Sequence, residues 1–184
     1  ASTWPAPGDS ASGAGVPRAP RSQPRSRRRA RAMGAARVGT VTTPRGSFTT
    51  SCFMPVGTRG TVRTLSAPDL EELGAEVVLA NAFHLLLRPG AEVVAALGGL
   101  HRFSGWQGHL LTDSGGFQIF SLGHGSAAEE VKGSRNQTRP PTLLEISEDG
   151  ARFRSYLDGT QHSLTPEGST RIQRKLGADL ILVL

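Results

Sequence analysis

From residue 38 onward the hydrophobic residues fall into short runs separated by glycine and proline. Val38, Val41 and Thr43 alternate with smaller residues, Pro44-Arg45-Gly46 turns the chain, and Ser47-Phe48-Thr49-Thr50 leads into Cys52-Phe53-Met54. That pattern predicts a β-hairpin. Residues 55–61, carrying Gly57 and Gly60, read as a connecting loop whose amides also suit an anion. Residues 66–74 predict a compact helix: Ser66 caps it, Pro68 and Asp69 suit its first turn, and Gly74 stops it. Residues 76–80 predict a buried strand ending at Asn81. A helical turn over 84–88 stops at Pro89-Gly90, and a helix over 91–97 stops at Gly98-Gly99. Phe103-Ser104-Gly105-Trp106 then leads to an apolar strand over 110–112. Residues 143–157 turn at Asp149-Gly150 and predict a second hairpin, which Asp158-Gly159 breaks. Thr165-Pro166-Glu167 opens a helix with Ile172 and Leu176 inward and Gly177 as its stop. Residues 179–184 predict another buried strand.

Helices alternating with apolar strands imply a parallel sheet covered by helices, an α/β fold. The last strand is apolar and has no following helix to cover it, so the sequence is expected to be part of a longer chain. Residues 123–141 form a long polar stretch with Lys132, Arg135 and Arg139, either solvated surface or a lid or RNA contact. Two units are expected: a basic leader over 1–36 and a folded body over 37–184.

Charge sharpens that division. Residues 1–37 hold eight arginines and one acid, Asp9, a net of +7. The remainder holds 13 basic and 14 acidic residues, a net of −1. The high isoelectric point therefore belongs to the leader and says nothing about nucleic-acid binding by the body. The leader is rich in Ala, Ser, Pro, Gly and Arg and almost lacks large aliphatics, so it is expected to be disordered. Three origins fit it: an Arg-rich organelle transit peptide, an RNA-attracting tail through residues 25–31, or sequence upstream of a start at Met33. A single cysteine, Cys52, excludes an internal disulfide and reads as a small core hydrophobe. No apolar run approaches the ~20 residues of a membrane span. A reducing, cytoplasmic setting is expected, with organelle targeting by the leader as the alternative.

The candidate chemistry lies in Leu110-Leu111-Thr112-Asp113-Ser114-Gly115-Gly116-Phe117-Gln118. A carboxylate at the C-terminal end of a buried strand, followed by a glycine turn, is where α/β barrels place catalysis. Phe117 suits stacking on a flat ligand, and Gln118 offers a donor and an acceptor to its edge. The same letters also suit a plainer role, with Asp113 or Ser114 capping a helix and the glycines making a turn.

Four motifs occur in one order: Phe53-Met54-Pro55-Val56-Gly57-Thr58 with Gly60-Thr61-Val62, then residues 81–90, then residues 111–118, then residues 153–159. Over residues 37–184 the chain closely resembles the tRNA-guanine transglycosylase family. The resemblance implies a (β/α)8 barrel, here incomplete, with an antiparallel N-terminal sheet closing one end. It implies exchange of a guanine in tRNA for queuine or another 7-deazaguanine on the route to queuosine, and a homo- or heterodimer when full length. It makes Asp113 the proton-handling aspartate. Ser114 and Gln118 then contact the base edge, Phe117 stacks on the base, and Gly115 and Gly116 leave room. Asn81 matches the family's Asn-Thr-(Tyr/Phe)-His motif, with Ala82 in place of Thr; it either holds Asp113 or caps a helix. Tyr156 and Asp158 read as structural core and turn residues. The resemblance also implies a covalent aspartate nucleophile, a second base-recognising aspartate and a zinc site of three cysteines and a histidine. All of these are expected beyond Leu184, so no metal ligand is assigned here.

Four functions compete. The chain is the N-terminal portion of a catalytic subunit, a non-catalytic homologous subunit binding a catalytic partner, or a relative acting at another tRNA position. The fourth is an unrelated barrel holding a phosphate on residues 57–60. Retention of residues 113–118 favours the first, since a scaffold has no need of a carboxylate there.

Overall fold

The computed structural model describes residues 25–27, 36–123 and 142–184. Four parallel strands form its central sheet: β4 (Val56–Gly57), β5 (Val77–Ala80), β6 (His109–Thr112) and β10 (Leu180–Ile181), side by side in chain order. That is the order of an arc of a barrel, and the sheet is open, so no closed barrel stands among the described residues. Helices α1 (Ala67–Glu72), α2 (Ala82–Leu87), α3 (Ala91–Ala96) and α4 (Leu100–Ser104) fill the first two crossovers. The third holds α5 (Gly116–Gly123), an antiparallel sheet of β7 (Leu143–Ser147), β8 (Gly150–Arg154) and β9 (Gln161–Leu164), and α6 (Pro166–Leu176).

Local chemistry sets the helix starts. Ser66 and Asp69 form a reciprocal capping box at α1, and Thr165 caps α6 through the Gly168 amide ahead of Pro166. Gly177, left-handed at φ 75°, ends α6 as its position predicted. One core joins Leu70, Val78, Leu85, Val94, Leu100, Trp106, Leu110 and Leu176 between sheet and helices. A second gathers Phe83, Ile119, Leu122, Ala151, Phe153 and Leu164 where α2 and α5 meet the β7–β9 sheet.

A second antiparallel sheet, β1 (Arg25–Arg27), β2 (Gly39–Thr43) and β3 (Gly46–Thr50), lies at the N-terminal end of the parallel strands. Thr43 Oγ1 is 3.2 Å from His109 Nδ1, and the Phe48 and His109 rings are 4.8 Å apart. Asp179 completes the join. It accepts from Arg45 Nε, from His101 Nε2 at 2.9 Å and from the Leu110 amide at 2.9 Å. Burial pushes the Asp179 carboxyl up, yet the His101 and Leu110 hydrogen bonds and the Arg45 charge outweigh it and hold it below the ordinary value. A depressed carboxyl adds stability that is present above about pH 4 and is lost as pH falls through its lower folded value. Asp179→Asn is expected to cost about 2 kcal/mol near neutral pH and to flatten the acid side of the stability–pH curve, as read by urea melts.

The structure departs from the sequence-based expectations in five places. Val56–Gly57 is a strand rather than a loop; two residues show no periodicity, and the strand exists through its pairing with Leu79 and Ala80. Helix α4 was missed, since glycines flank it and no side chain caps it. Gln161–Leu164 continues the second hairpin as a third strand, although only Leu164 is buried. The strand expected over 179–184 pairs only at Leu180–Ile181, because its neighbour β6 ends at Thr112. Within the leader expected to be disordered, Arg25–Arg27 pairs with β2. Residues 124–141, with Lys132, Arg135 and Arg139, lie outside the described residues, so the lid or RNA-contact expectation does too.

Candidate active site

The site stands at the C-terminal ends of β5 and β6. Parallel pairing of Val77–Ala80 with His109–Thr112 brings Asn81 and Asp113 to the same edge. The Asp113 amide donates to the Ala80 carbonyl at 3.2 Å, which extends the ladder by one step. Its carboxylate accepts the Ala82 amide at 2.7 Å, at the start of α2. Burial raises the Asp113 carboxyl above its ordinary value, and hydrogen bonds from the Ala82 and Gly115 amides counter only part of that rise. A half-buried carboxyl whose proton affinity is raised is suited to passing a proton at a reacting atom.

Asn81 caps α2: its Oδ1 accepts the His84 amide at 3.1 Å. Backbone amides therefore hold Asp113, that of Ala82 across the sheet edge and that of Gly115 within its own loop, with Asn81 fixing the helix that presents Ala82. Gly115 has φ +81°, and a Cβ there would lie 3.2 Å from Leu164 Cδ2 and 3.3 Å from Phe83 Cβ. Glycine thus allows the left-handed turn and lets the loop close on the second core. Ser114 Oγ accepts the Gly116 amide at 3.3 Å, so this hydroxyl braces the turn. At Gly116 the nearest neighbour of an added Cβ would be Leu184 Cδ1, at 2.8 Å. Phe117 is 75% exposed, its ring open at the protein surface. Gln118 Oε1 is buried and has no hydrogen-bond partner among the described residues.

Two supporting residues escaped the sequence reading. Gln173 is fully buried; its Oε1 accepts Thr112 Oγ1 and the Leu182 amide, while its Nε2 donates to Ser169 Oγ and the Leu182 carbonyl. Ser169 Oγ in turn donates to the Ser114 carbonyl at 2.7 Å. This network closes the end of β10 and ties α6 to the loop after Asp113. The available signal was positional: Ser169 and Gln173 share the inward stripe of α6 with Leu176, where apolar residues are the rule. The zinc implied by the resemblance finds no fit in this chain. Only one cysteine is present, and no cluster of three or more His, Cys, Asp or Glu suited to a metal occurs among the described residues. Nor is any helix among them long and apolar enough to cross a membrane.

Residues 32–184 match the family described as queuine tRNA-ribosyltransferase. A queuine tRNA-ribosyltransferase of Roseiflexus sp. is 49% identical over 148 residues, covering 80% of this chain and 37% of that protein. Its namesake in Thermus thermophilus is 52% identical over 149 residues, 81% of this chain and 34% of that one. Another in Nitrosomonas eutropha is 51% identical over 148 residues, 80% and 36% respectively. The chain spans about a third of the length of these curated relatives. The family match spans the strand ends and the loop that carries Asp113, and with these identities over four-fifths of its length the chain belongs to the queuine tRNA-ribosyltransferase (tRNA-guanine transglycosylase) family.

Proposed function

We propose that this chain is the N-terminal part of an enzyme that exchanges guanine at the anticodon wobble position of tRNA for queuine or a 7-deazaguanine precursor. Such an exchange keeps the ribose intact. It needs a nucleophile at C1′ and a group that gives a proton to the departing base and takes one from the incoming base. The observation that carries the reading is the half-buried Asp113 carboxylate, held by the Ala82 amide at the C-terminal edge of the parallel sheet, where burial favours its protonated form. Asp113 manages that proton. Gln118, whose buried oxygen has no partner among the described residues, and Ser114 read the base edge, and Phe117 covers the ring face. Asn81, Gly115 and Gly116 hold the loop that carries them. The nucleophile, the second base-reading aspartate and the zinc ligands belong to the part of the relatives that this chain does not span, and no step is assigned to them. The protein works in the cytoplasm as a homo- or heterodimer, with tRNA and a free 7-deazaguanine as its substrates.

The test is incorporation of radiolabelled guanine into unmodified tRNA. A protein extended to the full length of the relatives incorporates label, and this chain alone does not complete turnover. Sustained incorporation by the 184-residue chain would overturn the assignment of the nucleophile to another segment. Tight tRNA binding with no exchange by the longer protein would move the reading to a non-catalytic subunit.

A further inference from the structure

The segment after β8 meets the candidate site through a polar contact between two of the motifs, one to which the sequence reading gave no role. His84 Nδ1, on α2, is hydrogen-bonded at 2.9 Å to the hydroxyl of Tyr156, two residues beyond β8. Both side chains are half-buried, and their rings meet edge to face with centroids 6.0 Å apart. The contact ends an aromatic chain, since Phe83 lies 5.5 Å from His84 and 5.1 Å from Phe153, which stacks on His162 at 5.6 Å. Helix α2 spans only Ala82–Leu87, so His84 sits two residues from the amide that donates to Asp113. A six-residue helix has too few internal hydrogen bonds to hold its own direction. It is fixed from outside, by Phe83 and Leu85 buried in the two cores, by the Asn81 cap and, on its half-buried side, by Tyr156.

We propose that Tyr156, acting through His84, is a positioning residue for Asp113: the hydroxyl–imidazole bond fixes α2 so that the Ala82 amide stays aimed at the carboxylate. The proposal rests on the reading of Asp113 as the proton-handling group. Tyr156 touches neither base nor ribose, and its effect reaches the reaction only through the Ala82 hydrogen bond. Burial and the Arg59 charge both lower the basicity of His84, which keeps the imidazole neutral near pH 7 and able to accept the tyrosine proton. Asparagine places an acceptor oxygen near the position of Nδ1, so His84→Asn preserves the contact and His84→Ala removes it.

Two measurements test this, one of them independent of turnover. Carbon-13 NMR of the Asp113 carboxyl in this chain reads its titration directly. Losing the Ala82 hydrogen bond raises the midpoint, because that bond favours the charged form. Tyr156→Phe and His84→Ala are each expected to raise it by roughly half a unit or more, with His84→Asn near wild type. In the full-length enzyme Tyr156→Phe lowers kcat about tenfold, leaves KM for tRNA within about twofold, and moves the acid limb of the pH profile upward. Combined with His84→Ala it adds nothing further, as expected of two ends of one contact. An unshifted Asp113 midpoint in both Tyr156→Phe and His84→Ala would overturn the proposal. Absence of guanine exchange by the full-length wild type would instead overturn the functional reading, and the titration would still decide the brace.

Discussion

Replacing Asp113 by asparagine in the full-length enzyme is expected to cut guanine exchange by roughly 10²–10⁴-fold while tRNA binding stays within about twofold of wild type. The two side chains have the same shape. Asparagine Oδ1 still accepts the Ala82 amide, so α2 and the loop over 113–116 keep their arrangement. What disappears is the exchangeable proton. Stability gives the same variant a second, opposite readout. The folded carboxyl binds its proton more readily than an ordinary aspartate, so at neutral pH the wild type carries a half-buried charge at a cost. The asparagine variant carries no charge at this position, so it is expected to be at least as stable as wild type near pH 7. The difference shrinks as pH falls through the folded value, where wild-type Asp113 becomes neutral too. Loss of exchange together with equal or higher stability separates a chemical role from a structural one. Loss of both would return Asp113 to the plainer role of a turn residue.

Phe153→Ala is expected to destabilise the chain by about 3–5 kcal/mol in urea or thermal melts. Phe153 is fully buried at the centre of the second core, with Phe83 on one side and His162 stacked on the other. Truncation leaves a cavity that β8, paired with neighbours on both edges, cannot close by shifting. The effect extends to the site, because Phe83 packs against Gly115. A cost below about 1 kcal/mol would mean that the β7–β9 sheet is not packed against α2 as described.

Much of this architecture was legible in the letters, and the reasons are local. Ser66, Pro68 and Asp69 announce α1, and Thr165, Pro166 and Gly177 bracket α6, because caps and left-handed stops act within one turn. Val77–Ala80 announces itself by being wholly apolar, and His109–Thr112 by its Leu110-Leu111 pair beside the β-branched Thr112. What stayed hidden depends on partners distant in sequence. Val56–Gly57 is a strand because β5 lies beside it, and Gln161–Leu164 because β8 does. The letters led to Asp113 and left two roles open for Asn81, of which the structure shows the helix cap. They did not reveal that a backbone amide, that of Ala82, meets the carboxylate, since an amide has no letter of its own. Gln173 and Ser169 were passed over because polar residues on an inward stripe are noticed only when the stripe is known to be inward. The absence of a closed barrel among the described residues follows from four parallel strands being present where the resemblance implied eight.

The most direct measurement is a crystal structure of the full-length protein soaked with guanine. The account predicts the purine between the Phe117 ring and the loop over 113–116, with an Asp113 carboxylate oxygen about 3 Å from a ring nitrogen and Gln118 on the base edge. A purine bound elsewhere, or Asp113 still engaged only with backbone amides and out of reach of the base, would contradict it.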